Sequence, residues 1–219
     1  MRVVLFGATG MIGQGVLREC LLDETVTQVL TVGRTPTGQQ HPKLREVTHA
    51  DLADLTPIQS DLRGYDACFF CLGVSSAGMS EDAYRRITYD YTMAAARVFA
   101  AQDPDATFVY VSGAGTDSTE KGRTMWARVK GKTENDVLSL LRGAYMFRPG
   151  YIQPMHGIRS RTRLYRMVYV VTVPLYPVLR RLFPKSITTT ESIGRAMINV
   201  AAKGAPTRVL DPSDINAAA

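Results

Sequence analysis

"RVVLFGATGMIGQGVLRECLLD", Arg2 to Asp23, is the stretch whose reading decides the fold. Val3 to Phe6 is a short apolar run that stops at a glycine, which is the pattern of a buried strand. Beyond the glycines, Ile12, Val16, Leu17 and Leu21 recur at the spacing of one helix face. Between the two lie Gly7, Gly10 and Gly13, spaced G-x-x-G-x-x-G. A tight turn here would bring backbone N–H groups up to a pyrophosphate, and the helix N-terminus would add its dipole and its unpaired donors. Gly10 carries no side chain to hold a phosphate off. Glycine spacing alone says little, but a strand before it and a helix after it are the context that a phosphate-binding turn requires.

The alternation continues down the chain. "VTQVLTVGR", "LREVTHADL" and "YDACFFCLG" read as the second, third and fourth strands, the fourth apolar enough to be buried on both faces. "SEDAYRRITYDYTMAAARVFAAQ" reads as a long helix with Ser80 as N-cap. "ATFVYVSG" is a fifth strand, "KGRTMWARVKGKTENDVLSLLRG" a helix closed by Gly143, and "AYMFRPG" a sixth strand. "TTTESIGRAMINVAAKG" is a capped helix ending at Gly204, "PTRVLDP" a late strand, and "INAAA" a loose tail. Strand–helix alternation of this kind predicts an α/β protein: a doubly wound parallel sheet covered by helices on both faces. A chain of 219 residues fits a single domain, with residues 153–190 as a small, basic C-terminal lobe.

The end of the second strand bears on cofactor choice. An NAD site usually places an acid there for the ribose 2′-hydroxyl. Here "TVGRTPTG" has none and offers Arg34, whose guanidinium suits the 2′-phosphate of NADP. Arg34 could equally be a solvated turn residue. Asp51 and Leu52 follow the third strand and suit an adenine-edge contact, although Asp51 could instead be a helix N-cap.

Cys20, Cys68 and Cys71 are the only cysteines. A sparse, odd set without a secretory leader fits a reducing cytoplasm. The C-x-x-C pair Cys68 and Cys71 sits in a strand, where positions i and i+3 face opposite sides, so buried structural thiols are expected rather than a redox or metal site. The apolar stretch Met167–Leu179 is too short to span a bilayer.

"GATGMIG", "CLG" after the fourth strand, "VSGAG" after the fifth, Lys130 inside a helix and "FRPGYI" after the sixth together resemble the short-chain dehydrogenase/reductase superfamily. The likeness is to its atypical, epimerase/dehydratase-like members, and among them to the Tat-interacting-protein-like oxidoreductases. It covers about Met1 to Gly157 and returns at "TTTESIGRAM". The resemblance implies a Rossmann-type domain with a substrate lobe. It also implies cofactor contacts at Gly7, Thr9, Gly10, Met11 and Ile12 for the phosphates and at Arg34 for the 2′-phosphate. Leu72 and Gly73 would lie beside the ribose, Lys130 on the nicotinamide ribose, and Pro149, Gly150 and Tyr151 beside the nicotinamide.

The chain departs from the family pattern where protons move. The Y-x-x-x-K tyrosine is Trp126 here. An indole N–H donates but does not titrate usefully, so it cannot replace a tyrosine made acidic by a nearby lysine. Ser112 ends the fifth strand as a candidate for polarising a carbonyl, with Thr116 in the same loop. Tyr151 is the candidate substitute acid, and His156 is a loop residue that caps or, in the alternative, exchanges a proton.

No Asp or Glu occurs between Val137 and Thr190, while the same interval holds Arg159, Arg161, Arg163, Arg166, Arg180, Arg181 and Lys185. This block could receive an acidic substrate, lie on an anionic membrane surface, form a homodimer face, or simply be a core helix with a solvated rim. No nucleic-acid recognition motif accompanies the charge. Two functions remain open: an NADP-binding oxidoreductase or epimerase-like enzyme acting on a small carbonyl or nucleotide-linked substrate, or a non-enzymatic NADP-binding sensor or scaffold.

Overall fold

The computed structural model describes residues 1–158, Arg181 and 186–219. Most of the basic lobe, including Met167–Leu179, lies outside the described residues. The expected sheet is present. Strands β1 (Arg2–Phe6), β2 (Gln28–Gly33), β3 (Leu44–Thr48), β4 (Ala67–Phe70), β5 (Thr107–Val111), β6 (Ala144–Phe147) and a late strand (Val209–Leu210) run parallel, in the order β3-β2-β1-β4-β5-β6 with the late strand outermost. The order reverses direction at β1, which is the switch point where an open α/β sheet leaves a crevice at its C-terminal edge.

Each face of the sheet has its own core. On one face, Val3, Leu5, Phe69 and Val109 pack with Val16, Leu17 and Cys20 of helix α1 (Met11–Leu22). On the other, Phe6, Phe70 and Phe108 lie on three adjacent strands with ring centroids 5.2 and 6.1 Å apart. Phe99 of α3 (Tyr91–Gln102) meets Phe108 edge-on at 6.2 Å. Cys68 belongs to this second core, while Cys71 packs against the first. The two thiols of the C-x-x-C therefore face opposite sides, as the strand period requires.

The long helix expected from Ser80 onward is divided. Ser80 caps α2 (Glu81–Arg85), its hydroxyl accepting from the Ala83 N–H at 3.3 Å. A π-turn at Arg86–Asp90 then separates α2 from α3. Helix α4 (Met125–Leu140) ends three residues before Gly143, which does not cap it. Gly143 instead lets the chain pass close to the preceding loop, where a β-carbon would stand 2.5 Å from the Asp105 carbonyl.

The C-terminal third adds a two-stranded parallel sheet, β7 (Tyr151–Gln153) beside β8 (Ile187–Thr189). It continues into α5 (Thr190–Lys203), capped by Thr189 and closed by Gly204 at φ 74°. The late strand, β9 (Val209–Leu210), leads into α6 (Pro212–Ala217). The tail expected to be loose is this helix. Asp211 and Asp214 form a capping box, Ile215 is fully buried, and the Asn216 side chain donates to the Ile187 carbonyl at 2.8 Å.

The glycine turn joins β1 to α1 with no spare volume. Gly7 has φ 81°, and a β-carbon on it would meet the Leu72 nitrogen at 2.6 Å. A β-carbon on Gly13 would stand 2.0 Å from the Gly7 carbonyl oxygen. Gly13→Ala is therefore expected to lower the free energy of unfolding by about 3 kcal/mol, the upper end of the usual cost of overpacking. Denaturant unfolding measures it, and a midpoint unchanged from wild type would contradict the packing described.

Candidate cofactor site and active site

A cavity of about 690 Å³ lies along the C-terminal edge of the sheet. Its floor is the turn Gly7–Ile12, its rim at one end is Gly33 to Thr37, and its other end is bounded by Ser112 and Lys130. Leu72 and Gly73 close it at the end of β4, and Leu52 lines it with almost no exposure.

The turn is shaped by its own backbone. The Gly10 N–H donates to the Gly7 carbonyl at 2.9 Å, and the Gln14 side chain donates to the Thr9 carbonyl at 3.1 Å. Gly10 is the N-cap of α1, no side chain caps the helix, and no acid lies in its first turn. The first N–H groups of α1 thus point into the cavity without a local anion to compete, which fits an incoming pyrophosphate.

At one end, Arg34 is exposed and makes no ion pair among the described residues. At the other, Lys130 donates through Nζ to the Ser112 carbonyl. Burial pulls the Lys130 ammonium down to about 8, against the opposing pull of Glu134. Glu134 is itself buried and paired with Arg148. Hydrogen bonds from Arg148 to Glu134 push the guanidinium further up, so it stays charged. A half-buried, positively charged Lys130 beside a cavity suits ribose hydroxyls and the phosphates beyond them.

The catalytic candidates are placed differently. The Ser112 backbone lines the cavity, but its hydroxyl donates to Glu134 Oε1 at 2.5 Å and lies 3.1 Å from the Phe147 carbonyl. Polarising a substrate would require that bond to break. The Thr116 hydroxyl donates to the Gly113 carbonyl at 2.7 Å. Trp126 stands four residues before Lys130 on α4, and its ring rests on the loop below, where a β-carbon at Gly115 would be 3.3 Å from Cη2.

Pro149, Gly150 and Tyr151 lie outside the cavity lining. The Pro149 carbonyl accepts from the Ala114 N–H at 2.9 Å, Gly150 backs onto Ser186, and the Tyr151 hydroxyl donates to Gln153 at 2.9 Å. Asp51 is also outside the lining and holds a turn, its carboxylate accepting from the Ala53 N–H at 3.1 Å.

His156 is away from the cavity. Its ring lies 2.7 Å from Glu191, and this hydrogen bond is the main reason the Glu191 carboxyl is held below its usual range. Glu19, His156 and Glu191 come together, but Arg18 and Arg195 already pair with the carboxylates, making this an ion-pair cluster. Cys71 does line the cavity, yet burial pushes its thiol up, which keeps it protonated and a poor nucleophile.

Several lining residues were not visible as site residues in the sequence. Ile87 lies in the π-turn, Tyr91 directly follows it, and Glu46 enters from β3. Nothing in composition or periodicity marks them, because their place depends on a helix distortion and on strand register.

Residues 7–138 match the family model for NAD(P)H-binding proteins. Protein FMP52-2, mitochondrial, of Scheffersomyces stipitis is 28% identical over 216 residues, covering 95% of this chain and 90% of that protein. Protein HTATIP2 of Rattus norvegicus is 26% identical over 153 residues, 68% of this chain and 62% of that protein. Among solved structures, the Bordetella bronchiseptica enzyme WbmF in complex with NAD+ and UDP superposes with a TM-score of 0.69 at 16% identity, over 99% of this chain and 75% of that one. DesIV (dTDP-glucose 4,6-dehydratase) from Streptomyces venezuelae, with NAD and TYD bound, gives 0.69 at 16% identity, over 93% and 73%. These likenesses agree with the glycine turn, the parallel sheet and the crevice: the chain belongs to the family of NAD(P)H-binding proteins.

Proposed function

We propose that the chain is an NADP-preferring oxidoreductase or epimerase-like enzyme that works on a small carbonyl or nucleotide-linked substrate without a tyrosine acid. The observation that carries this reading is one cavity with an uncapped helix N-terminus at its centre, the unpaired Arg34 at one end and Lys130 at the other. Arg34 would pair with the 2′-phosphate and Lys130 with the nicotinamide ribose. When bound, the nicotinamide supplies or takes the hydride.

Trp126 cannot deliver a proton, so in this reading water supplies it. Nucleotides beside NAD in WbmF and DesIV support a nucleotide-linked substrate here, and the basic segment after Tyr151 would receive its phosphates. We keep the cytoplasm as the proposed compartment.

A second reading, cofactor binding without turnover, is favoured by Trp126 resting over Gly115, where an indole takes the place of the family's acid.

Three measurements test these readings. NADPH is expected to bind at least tenfold more tightly than NADH by fluorescence titration, and Arg34→Ala to abolish the difference. Equal affinities in the wild type would refute the NADP preference.

Trp126→Tyr is expected to raise NADPH oxidation with a panel of small aldehydes and ketones by about 10²-fold, the low end of what a positioned acid contributes. No turnover in either protein would favour the second reading.

Lys130 gives a pH signature. Its ammonium titrates near 8 in the fold and at about 10.5 when unfolded. Between those values the unfolded chain binds more protons, so the cofactor-free protein gains stability as pH rises through that window and carries the cost of the buried charge below it. Lys130→Met is therefore expected to raise the melting temperature at pH 7 while weakening NADPH binding. Wild-type NADPH affinity is expected to fall as pH passes 8, and the variant's to stay flat across the same range.

A further inference from the structure

The ribose end of the cavity holds a carboxylate that the sequence does not place there. Glu46 lines the cavity together with Arg34, Thr35 and Thr37. It lies on β3, paired across from Thr31 of β2, and Thr31 is buried and also lines the cavity. The acid missing from the end of β2 is thus replaced by one reaching in from the neighbouring strand.

Glu46 makes no ion pair among the described residues. Its partners are neutral. The Thr37 backbone N–H donates to it at 3.0 and 3.3 Å, and the Thr37 hydroxyl donates to Oε1. A carboxylate offers about four acceptor positions, so Thr37 does not exhaust it. The carboxylate lies half-buried on the wall that Arg34 shares.

We propose that Glu46 is a second cofactor selector opposing Arg34: its carboxylate accepts the ribose 2′-hydroxyl of NAD and repels the 2′-phosphate of NADP. This rests on the reading of the cavity as a dinucleotide site with its adenosine end at Arg34. Two opposite charges on one wall make the preference between cofactors a difference of two terms. Arg34 favours the phosphate, and Glu46 disfavours it while rewarding the hydroxyl. Thr37 holds the carboxylate in place and ties the β2–β3 connection to β3.

The test compares dissociation constants for NADPH and NADH in the wild type, Glu46→Gln and Thr37→Val, by fluorescence titration at low salt. Glu46→Gln keeps the size and an acceptor for Thr37 but removes the charge. The ratio of the NADH to the NADPH constant is expected to rise at least fivefold, through tighter NADPH and weaker NADH. Thr37→Val keeps the charge and loosens the loop, and is expected to weaken both cofactors by the same factor.

A ratio within twofold of wild type in Glu46→Gln, or an equal loss for both cofactors, would show that Glu46 only staples the loop and would overturn the proposal. If Glu46→Gln does not fold, Glu46→Ala serves the same comparison. Equal wild-type affinities would remove the NADP preference alone, because a ratio shift in the variant still decides the role of Glu46. A wild type that binds neither dinucleotide would overturn both readings.

Discussion

The contact between the Gly7 carbonyl and Gly13 is the constraint on which the rest of the structure depends. It sets how closely α1 approaches β1, and no β-carbon fits between them. That distance puts the helix N-terminus at the sheet edge with its N–H groups aimed into the crevice. It also fixes the far face of α1. Gly15 sits against Thr190 at the start of α5, again without room for a side chain, so the C-terminal third is docked on the same helix that forms the phosphate turn. Thr190 in turn accepts from the Met155 N–H at 3.1 Å, which anchors the loop after β7. One close approach between two glycines is therefore transmitted from the cofactor turn to both ends of the basic lobe.

The other end of the cavity depends on a buried charge network. Glu134 takes the Ser112 hydroxyl and the Arg148 guanidinium, and its carboxylate opposes the desolvation of Lys130. Removing Arg148 or Glu134 leaves the other buried without its partner, which costs far more than the net worth of the pair itself. The arrangement explains why Ser112 is poorly placed to polarise a substrate: its hydroxyl is part of the scaffold that keeps Lys130 usable. Stability and chemistry draw on the same atoms, and in this chain the scaffold has the stronger hold on them.

The legible part of the protein was the part set by local pattern. Apolar runs of fixed length, the glycine turn and the helix cap at Ser80 follow from spacing and side-chain type, whereas the strand order depends on which strands pair. Gly143 was misleading because glycine serves either as a cap or as a close approach, and only the neighbouring Asp105 carbonyl tells which. The tail was misleading because chain ends are usually loose unless tied down, while the residues that tie it, Asp211 and Asp214, lie upstream and act through the capping box. The π-turn at Arg86–Asp90 had no signal in residue type, although it positions Ile87 and Tyr91 on the cavity wall. In the site, Gly7 and Gly10 were readable from motif spacing and Arg34 and Leu52 from the ends of the second and third strands, while Thr9, Met11, Ile12, Leu72, Gly73 and Lys130 were readable through the family resemblance. Glu46 was not, since only the register of β3 against β2 brings it to the ribose end.

That division explains why Trp126 weakens one inference and not another. In the proposed function, cofactor binding is distributed over backbone N–H groups, a strand edge and two cations on separate elements, so one substitution on α4 leaves most of it intact. Proton delivery rests on a single side chain at a single position, and there the chain has an indole. The helix register still presents position 126 and Lys130 on one face, four residues apart. The loop beneath accommodates the larger ring because Gly115, at φ 86°, carries no β-carbon. The chain thus keeps the geometry in which a tyrosine would work while lacking the group that titrates. Any chemistry it performs must take its proton from a group other than Trp126.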